Sequence, residues 1–249
     1  MNPFNKQRSL HIPFPQVGRG ACPAKSWRSR VPSLPPRILS IAATFFLLAT
    51  GTSLAGTIII DSTGIDRVAG IVEWAPRQSW SLNEQPEGRA HNTSVGLVQG
   101  RGLLVRFALD AIPKGNRIIH AELVVNVPTT QGNEPRFYLW RILAEWGIGV
   151  CHQFRMTHPK PLAWTRPGAR AFSTDRATRP TDIVRIRTPG DVTINVTEDV
   201  DLWYTGTVPN HGWLFTVEDP AISLAFHTPL TKEPGRWLLR VTYEPEVAP

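Results

Sequence analysis

Between residues 103 and 243 the apolar positions recur with the two-residue period of β-strands, and few stretches carry helical spacing. The run from Leu103 to Leu109 alternates toward its end and is followed by a turn, Asp110 to Gly115, that contains Pro113. Ile118 to Val127 is β-branched and apolar, with His120 and Glu122 on one face, and Pro128 stops it. Phe137 to Ile142 is a third run, followed later by Val192–Val196, Trp213–Val217, Ile222–Phe226 and Trp237–Tyr243. Turn residues separate them at Pro113-Lys114-Gly115, Thr188-Pro189-Gly190, Pro209 to Gly212 and Glu233-Pro234-Gly235. Short strands punctuated in this way predict an all-β fold: a jelly-roll β-sandwich of antiparallel strands. One short helix is expected over Val196 to Tyr204, with Thr197 as its cap and Glu198 and Asp199 in its first turn.

Residues 141 to 190 break the rhythm. Pro159, Pro161, Pro167, Pro180 and Pro189 leave little room for regular strand, so long loops crossed by about two strands are expected. Loops of that length on a rigid sandwich usually exist for binding.

The N-terminal segment has a different character. Residues 1 to 37 hold seven prolines and seven Lys/Arg with no acidic residue, so they cannot build an apolar face. Ile38 to Ala55 then reads ILSIAATFFLLATGTSLA, uncharged throughout, and ends on the small-x-small pattern Ser53-Leu54-Ala55. The expectation is a leader and signal peptide over 1–55, cleaved before Gly56, and a single domain over 56–249 that is secreted, periplasmic or on the cell surface. Left uncleaved, the same apolar segment would just span a bilayer and act as an anchor.

This division changes the meaning of the charge. Of 27 basic and 20 acidic residues, seven basic ones and no acidic one precede Gly56, leaving twenty of each sign in the domain. A nucleic-acid partner inferred from the net charge of +7 is therefore not expected. Cys22 falls in the leader and Cys151 stands alone, so no intrachain disulfide is available to the domain.

Several segments, in order, resemble the DNRLRE family, disaggregatase-related modules of microbial surface proteins. Gly102-LLVRFALDAIPKG-Asn116 followed by Arg117-IIHAELVVNV is the longest such piece, and Leu139–Ile142, Glu145-Trp146 and Leu162-Ala163-Trp164-Thr165-Arg166-Pro167-Gly168 follow it. Val192–Thr197 with Val200, Trp203 and Gly206, then Asn210–Leu214 and Trp237–Tyr243, complete the series; Ser79–Asn83 and Val95–Val98 stand where its upstream segments belong. The family has Asp where this chain has Ser79, and loops 147–161 and 169–190 lie outside its pattern. The resemblance implies a jelly-roll sandwich that accompanies polysaccharide-degrading enzymes or decorates cell surfaces, in some members binding acidic polysaccharide, without catalysis.

Eight of the nine tryptophans follow the leader. Exposed indoles offer flat apolar faces on which sugar rings stack. Trp140, Trp213 and Trp237 lie within expected strands and Trp203 beside Val200 on the helix, so packing is expected of them. Trp146 and Trp164 border the long loops and are candidate sugar platforms; Trp74 and Trp80 are not assigned. Residues 141 to 190 carry nine basic groups against three acids, and residues 191 to 249 carry three against nine. Guanidinium groups pair bidentately with carboxylate or sulfate, which makes Arg155, Arg166 and Arg170 candidate contacts to an acidic polysaccharide. Mutual neutralisation of the two segments across the fold is the competing expectation.

Catalytic motifs are missing: the chain has no HExxH, nucleophile elbow or CxxC, and Cys151-His152 with His158 is too small a set for zinc. No cofactor is expected, though Glu218-Asp219, or Asp61 with Asp66, would suit a structural calcium. Three function classes follow: a secreted non-catalytic polysaccharide-binding or surface-structural module, a lyase or hydrolase on the same sandwich, and an envelope protein-interaction scaffold. The first is preferred.

Overall fold

The computed structural model describes residues 55–81, 94–229 and 237–246, all belonging to one structural unit. Residues 1–54 of the leader, Cys22 among them, and the Glu233-Pro234-Gly235 turn lie outside the described residues. In chain order the elements are β1 (Gly56–Ile60), β2 (Ile65–Val72), β3 (Trp80–Ser81), β4 (Ser94–Val98), β5 (Arg101–Phe107), β6 (Asn116–Val127) and β7 (Thr129–Gln131). They continue with β8 (Arg136–Arg141), β9 (Phe154–Met156), β10 (Leu162–Ala163), β11 (Asp182–Arg185), β12 (Gly190–Asn195), α1 (Thr197–Tyr204), β13 (Trp213–Thr216), β14 (Ser223–His227) and β15 (Trp237–Pro245). All strand pairs are antiparallel.

A four-stranded sheet, β1-β15-β6-β12, and a three-stranded one, β4-β14-β7, share a core with the six-stranded sheet β11-β8-β13-β5-β2-β3. The chain switches sheets repeatedly, from β5 to β6, β7 to β8, β11 to β12 and α1 to β13, so the fold is an all-β sandwich as the strand rhythm predicts. In the four-stranded sheet the residues Ile60, Leu239, Leu123 and Ile194 stand side by side across all four strands and point into that core. The facing sheet supplies Leu103, Phe215 and Leu139 from one row of adjacent strands. Phe137, Phe226, Phe215 and Trp237 interlock edge to face in that order in the middle, with ring centroids 5.3–5.6 Å apart in successive pairs.

The six-stranded sheet is buried on its other face as well. The next row, Ala69, Leu104, Leu214 and Trp140, points away from the sandwich into a second apolar cluster with Ile142, Trp146, Val150, Trp164 and Ala169. A strand with one solvated face alternates apolar and polar residues, and one covered on both faces does not. Leu103-Leu104-Val105, Phe137-Tyr138-Leu139-Trp140 and Trp213-Leu214-Phe215 carry the second pattern. Their cover is the 143–177 segment, which contains the β9/β10 hairpin. The 141–190 region thus carries three short strands, and Ile142, Trp146, Val150, Trp164 and Ala169 pack it against the outer face of the sheet.

The helix lies where the sequence predicts, but Thr197 does not cap it: Val196 is the cap residue and makes no side-chain cap bond, while Asn195 Oδ1 accepts the Thr197 amide at 3.0 Å. The Thr197 hydroxyl accepts instead from the Ala121 amide at 2.9 Å, which pins the helix start to β6. Asp199, 4% exposed, accepts from Thr181 Oγ1 (2.6 Å) and Trp213 Nε1 (2.8 Å) and pairs with Arg141 Nη1 at 3.1 Å. Burial pushes its carboxyl above the usual range. Among the described residues no helix is long and apolar enough to cross a membrane.

Trp203 packs from α1 against Trp213, with ring centroids 4.6 Å apart, and is 7% exposed. Truncation to alanine empties a site of aromatic size, so Trp203→Ala should cost about 3–5 kcal/mol. Chemical denaturation of both proteins checks this: the midpoint should drop, and an unchanged midpoint would contradict the packing.

Candidate functional site

The 143–177 cover is built around polar groups that its apolar surroundings would otherwise penalise. Trp164, 3% exposed, donates its indole N–H to the Cys151 carbonyl at 2.9 Å, and Trp146, also 3% exposed, donates to the His211 carbonyl at 2.7 Å. Asp175 is 1% exposed and organises the last turn of the segment. Its carboxylate accepts the backbone N–H groups of Thr165 and Arg166, both at 2.9 Å, and of Ala171 at 3.2 Å. The Asp175 and Arg176 amides both donate to the Ala171 carbonyl, and the Leu143 amide donates to the Asp175 carbonyl. Backbone amides outside helices and ladders need acceptors, and one buried carboxylate here serves three of them. The result is a rigid tight loop that displays Arg166 and Arg170 on one side, with Arg176 at its base.

These arginines border a groove of about 500 Å³ between the cover and one end of strands β2, β5 and β13. Arg101, from β5, joins them. Arg176 is 7% exposed and lies flat over Trp140, its guanidinium carbon 3.9 Å from the ring centroid, with Phe172 at 4.9 Å. Arg101 sits 4.9 Å over the ring of Trp74, which is 60% exposed at the rim, and donates to the Gly96 carbonyl at 3.2 Å. Arg170 pairs with Glu73 at 2.8 Å, and this hydrogen bond holds the Glu73 carboxyl below its usual range. Arg166 has no carboxylate within bridging distance among the described residues. Four guanidinium groups therefore face two carboxylates, Glu73 and Glu218, a local excess of positive charge.

Glycines make the space. Gly168 has φ of 80°, open to glycine at no cost, and a Cβ there would lie 2.9 Å from His152 Nε2. A Cβ on Gly102 would lie 2.7 Å from a Leu214 methyl. His152 is 8% exposed, and Nε2 has no hydrogen-bond partner.

Of the five residues singled out from sequence, Arg166 and Arg170 meet in this groove. Trp146 and Trp164 need correcting: both rings are buried in the second core with their N–H groups satisfied by backbone carbonyls, so neither presents a face to a sugar. Arg155 is spent on the fold as well, donating to the Glu145 carbonyl at 2.8 Å, and it does not line the groove. The exposed aromatic faces beside the groove are Trp74, and Phe172 at 51%. The expected neutralisation between segments occurs at Arg141 with Asp199, away from it.

The carboxylates suggested for calcium have protein partners. Asp61 accepts from the Thr63 amide and hydroxyl, Asp66 pairs with Arg106, Asp219 accepts from the Ala221 amide at 2.9 Å and Glu218 from Thr216 Oγ1 at 3.2 Å. A second, larger groove of about 870 Å³ beside α1 mixes Arg141 and Arg179 with Asp182, Glu198, Asp199 and Asp201, and its buried carboxylate is already satisfied. Volume alone does not favour it.

No protein-family model matches the chain, and no curated protein does either. The DNRLRE resemblance rests on the sequence segments alone.

His152 and His211 are both held below the usual histidine range, first by burial. Arg170 pushes His152 further down while Glu73 opposes it; His211 is pushed down by Arg106, Arg155 and Arg67 and up by Glu145. A histidine kept neutral in the fold leaves the unfolded chain binding more protons below about 6.5, so this stability is present above that pH and is lost as pH falls toward the folded-state pKa. The unfolding midpoint should accordingly drop on acidification from neutrality, and His152→Gln with His211→Gln should flatten part of that drop. Identical acid limbs for the variant and the parent would rule out these imidazoles as the cause.

Proposed function

We propose that this protein is a secreted or envelope-associated, non-catalytic module that binds an acidic polysaccharide along the arginine-lined groove. The observation that carries the reading is the convergence of Arg101, Arg166, Arg170 and Arg176 on one open groove, opposed by only two carboxylates. Guanidinium groups held in place by stacking and by a rigid loop lose little freedom on binding and recognise anionic oxygens bidentately. Trp74 and Phe172, half or more exposed at the rim, supply apolar faces for the sugar rings. The DNRLRE resemblance and the signal-like apolar segment point the same way.

An enzymatic reading has one observation in its favour: His152, Glu73 and Glu218 line the same groove. A lyase or hydrolase would release soluble fragments from the polymer it binds, and the binding module would not.

Coulombic attraction between exposed charges is screened over about 8 Å at physiological ionic strength. Binding to alginate, followed by isothermal titration or affinity electrophoresis, should therefore weaken steeply as salt rises, while neutral glucans bind poorly throughout. Arg166→Ala should lower alginate affinity about tenfold, the equivalent of about 1.4 kcal/mol. Salt-independent binding, or affinity unchanged in Arg166→Ala, would exclude the groove as the site.

A further inference from the structure

One of the two groove carboxylates joins its walls. Glu73 follows β2 directly on the sheet side, Arg170 belongs to the cover, and Arg170 Nη2 donates to Glu73 Oε2 at 2.8 Å. Neither side chain is sealed off: Arg170 is 37% exposed and Glu73 51%, so a molecule in the groove can touch both. Two glycines leave room for them. The Glu73 amide donates to the Gly100 carbonyl at 2.8 Å, and a Cβ on Gly100 would lie 3.1 Å from Glu73 Oε2, while one on Gly168 would lie 3.3 Å from Arg170 Nε. An exposed ion pair contributes little to stability, because each charge gives up water to meet the other. Trp146, Trp164 and the Asp175 loop already hold the cover down, so the fold does not depend on this contact.

On the reading that this groove is the glycan site, we propose that Glu73 is a built-in competitor for Arg170: it keeps the place of the ligand's acidic group, and the glycan binds by displacing it. The acidic group of a sugar brings the same charge to the same guanidinium, so the exchange replaces the ion pair that Arg170 already makes. The present bond runs from one nitrogen to one oxygen. An acidic group free to align with the guanidinium plane accepts two parallel N–H bonds, which are the stronger arrangement. Glu73, released, lies half exposed and is rehydrated. The Arg170 hydrogen bond holds the Glu73 carboxyl below its usual range, so it is ionised at neutral pH and the competition is always present there. A ligand that needs Arg170 free has its affinity reduced by the fraction of molecules in which Glu73 has let go. Glu73 therefore sets how tightly the groove holds an anionic polymer.

A double-mutant cycle with alginate titrated into the full chain at fixed salt tests this. Glu73→Gln should tighten binding about fivefold or more, as Arg170 becomes free in nearly every molecule. Made in an Arg170→Ala background, the same substitution should change affinity by less than about twofold, because no guanidinium is left to release. Glu73→Ala repeats both measurements without a side-chain carbonyl that Arg170 could still hold. An equal gain in both backgrounds overturns the competition, since the lost carboxylate then acts through its charge alone. Unchanged or weaker binding in both Glu73→Gln and Glu73→Ala overturns it as well. Either of these results, with alginate bound by the parent, leaves the acidic-polysaccharide reading intact; failure of the parent and of every variant to bind overturns both.

Discussion

The outer face of the six-stranded sheet carries Ala69, Ile71, Leu104, Trp140 and Leu214, and an apolar surface of that extent has to be covered. The cover is the chain's own 143–177 segment, which contributes Trp146, Val150, Trp164 and Ala169 to the contact. Folding the segment down takes its backbone out of regular strand pairing, and the buried Asp175 carboxylate accepts three of the amides left without a ladder partner. The same carboxylate sets the conformation from Thr165 to Arg176, so the spacing of Arg166, Arg170 and Arg176 is fixed by core packing. Function, on this reading, is mounted on a second hydrophobic core.

That arrangement explains why a proline-rich, irregular segment holds its arginines in a defined array. A flexible loop would have to be ordered on binding, at a cost in affinity for each immobilised side chain. Here Arg176 is already held against Trp140 and Phe172, and Arg170 is already paired with Glu73. Arg101 reaches the same groove from β5, some sixty-five residues earlier in the chain. The groove therefore depends on the sheet holding one wall and the cover holding the other.

Much of the sandwich was legible in the sequence because period and punctuation agree: Ile118–Val127 and Trp237–Tyr243 pair in register as β6 and β15. The second core was written there too, in Phe137-Tyr138-Leu139-Trp140 and Trp213-Leu214-Phe215, where the loss of alternation marks a strand buried on both faces. Trp146 and Trp164 misled because an indole bordering a loop has the same local sequence whether it faces solvent or fills a core; only the cover's packing decides. Arg166 and Arg170 were found from charge density, while Arg101 and Arg176 gave no local signal, one sitting in a strand and the other stacked on Trp140. Asp175 counted merely as an acid, since capture of backbone amides exists only once the loop has closed.

The central claim is that the 143–177 segment is core rather than loop, and native-state hydrogen exchange tests it most directly. The Thr165, Arg166 and Ala171 amides, held by the Asp175 carboxylate, should exchange as slowly as those of β13, opening only when the domain unfolds as a whole. Exchange of these amides at rates close to those of an unprotected chain, with β13 still protected, would contradict it.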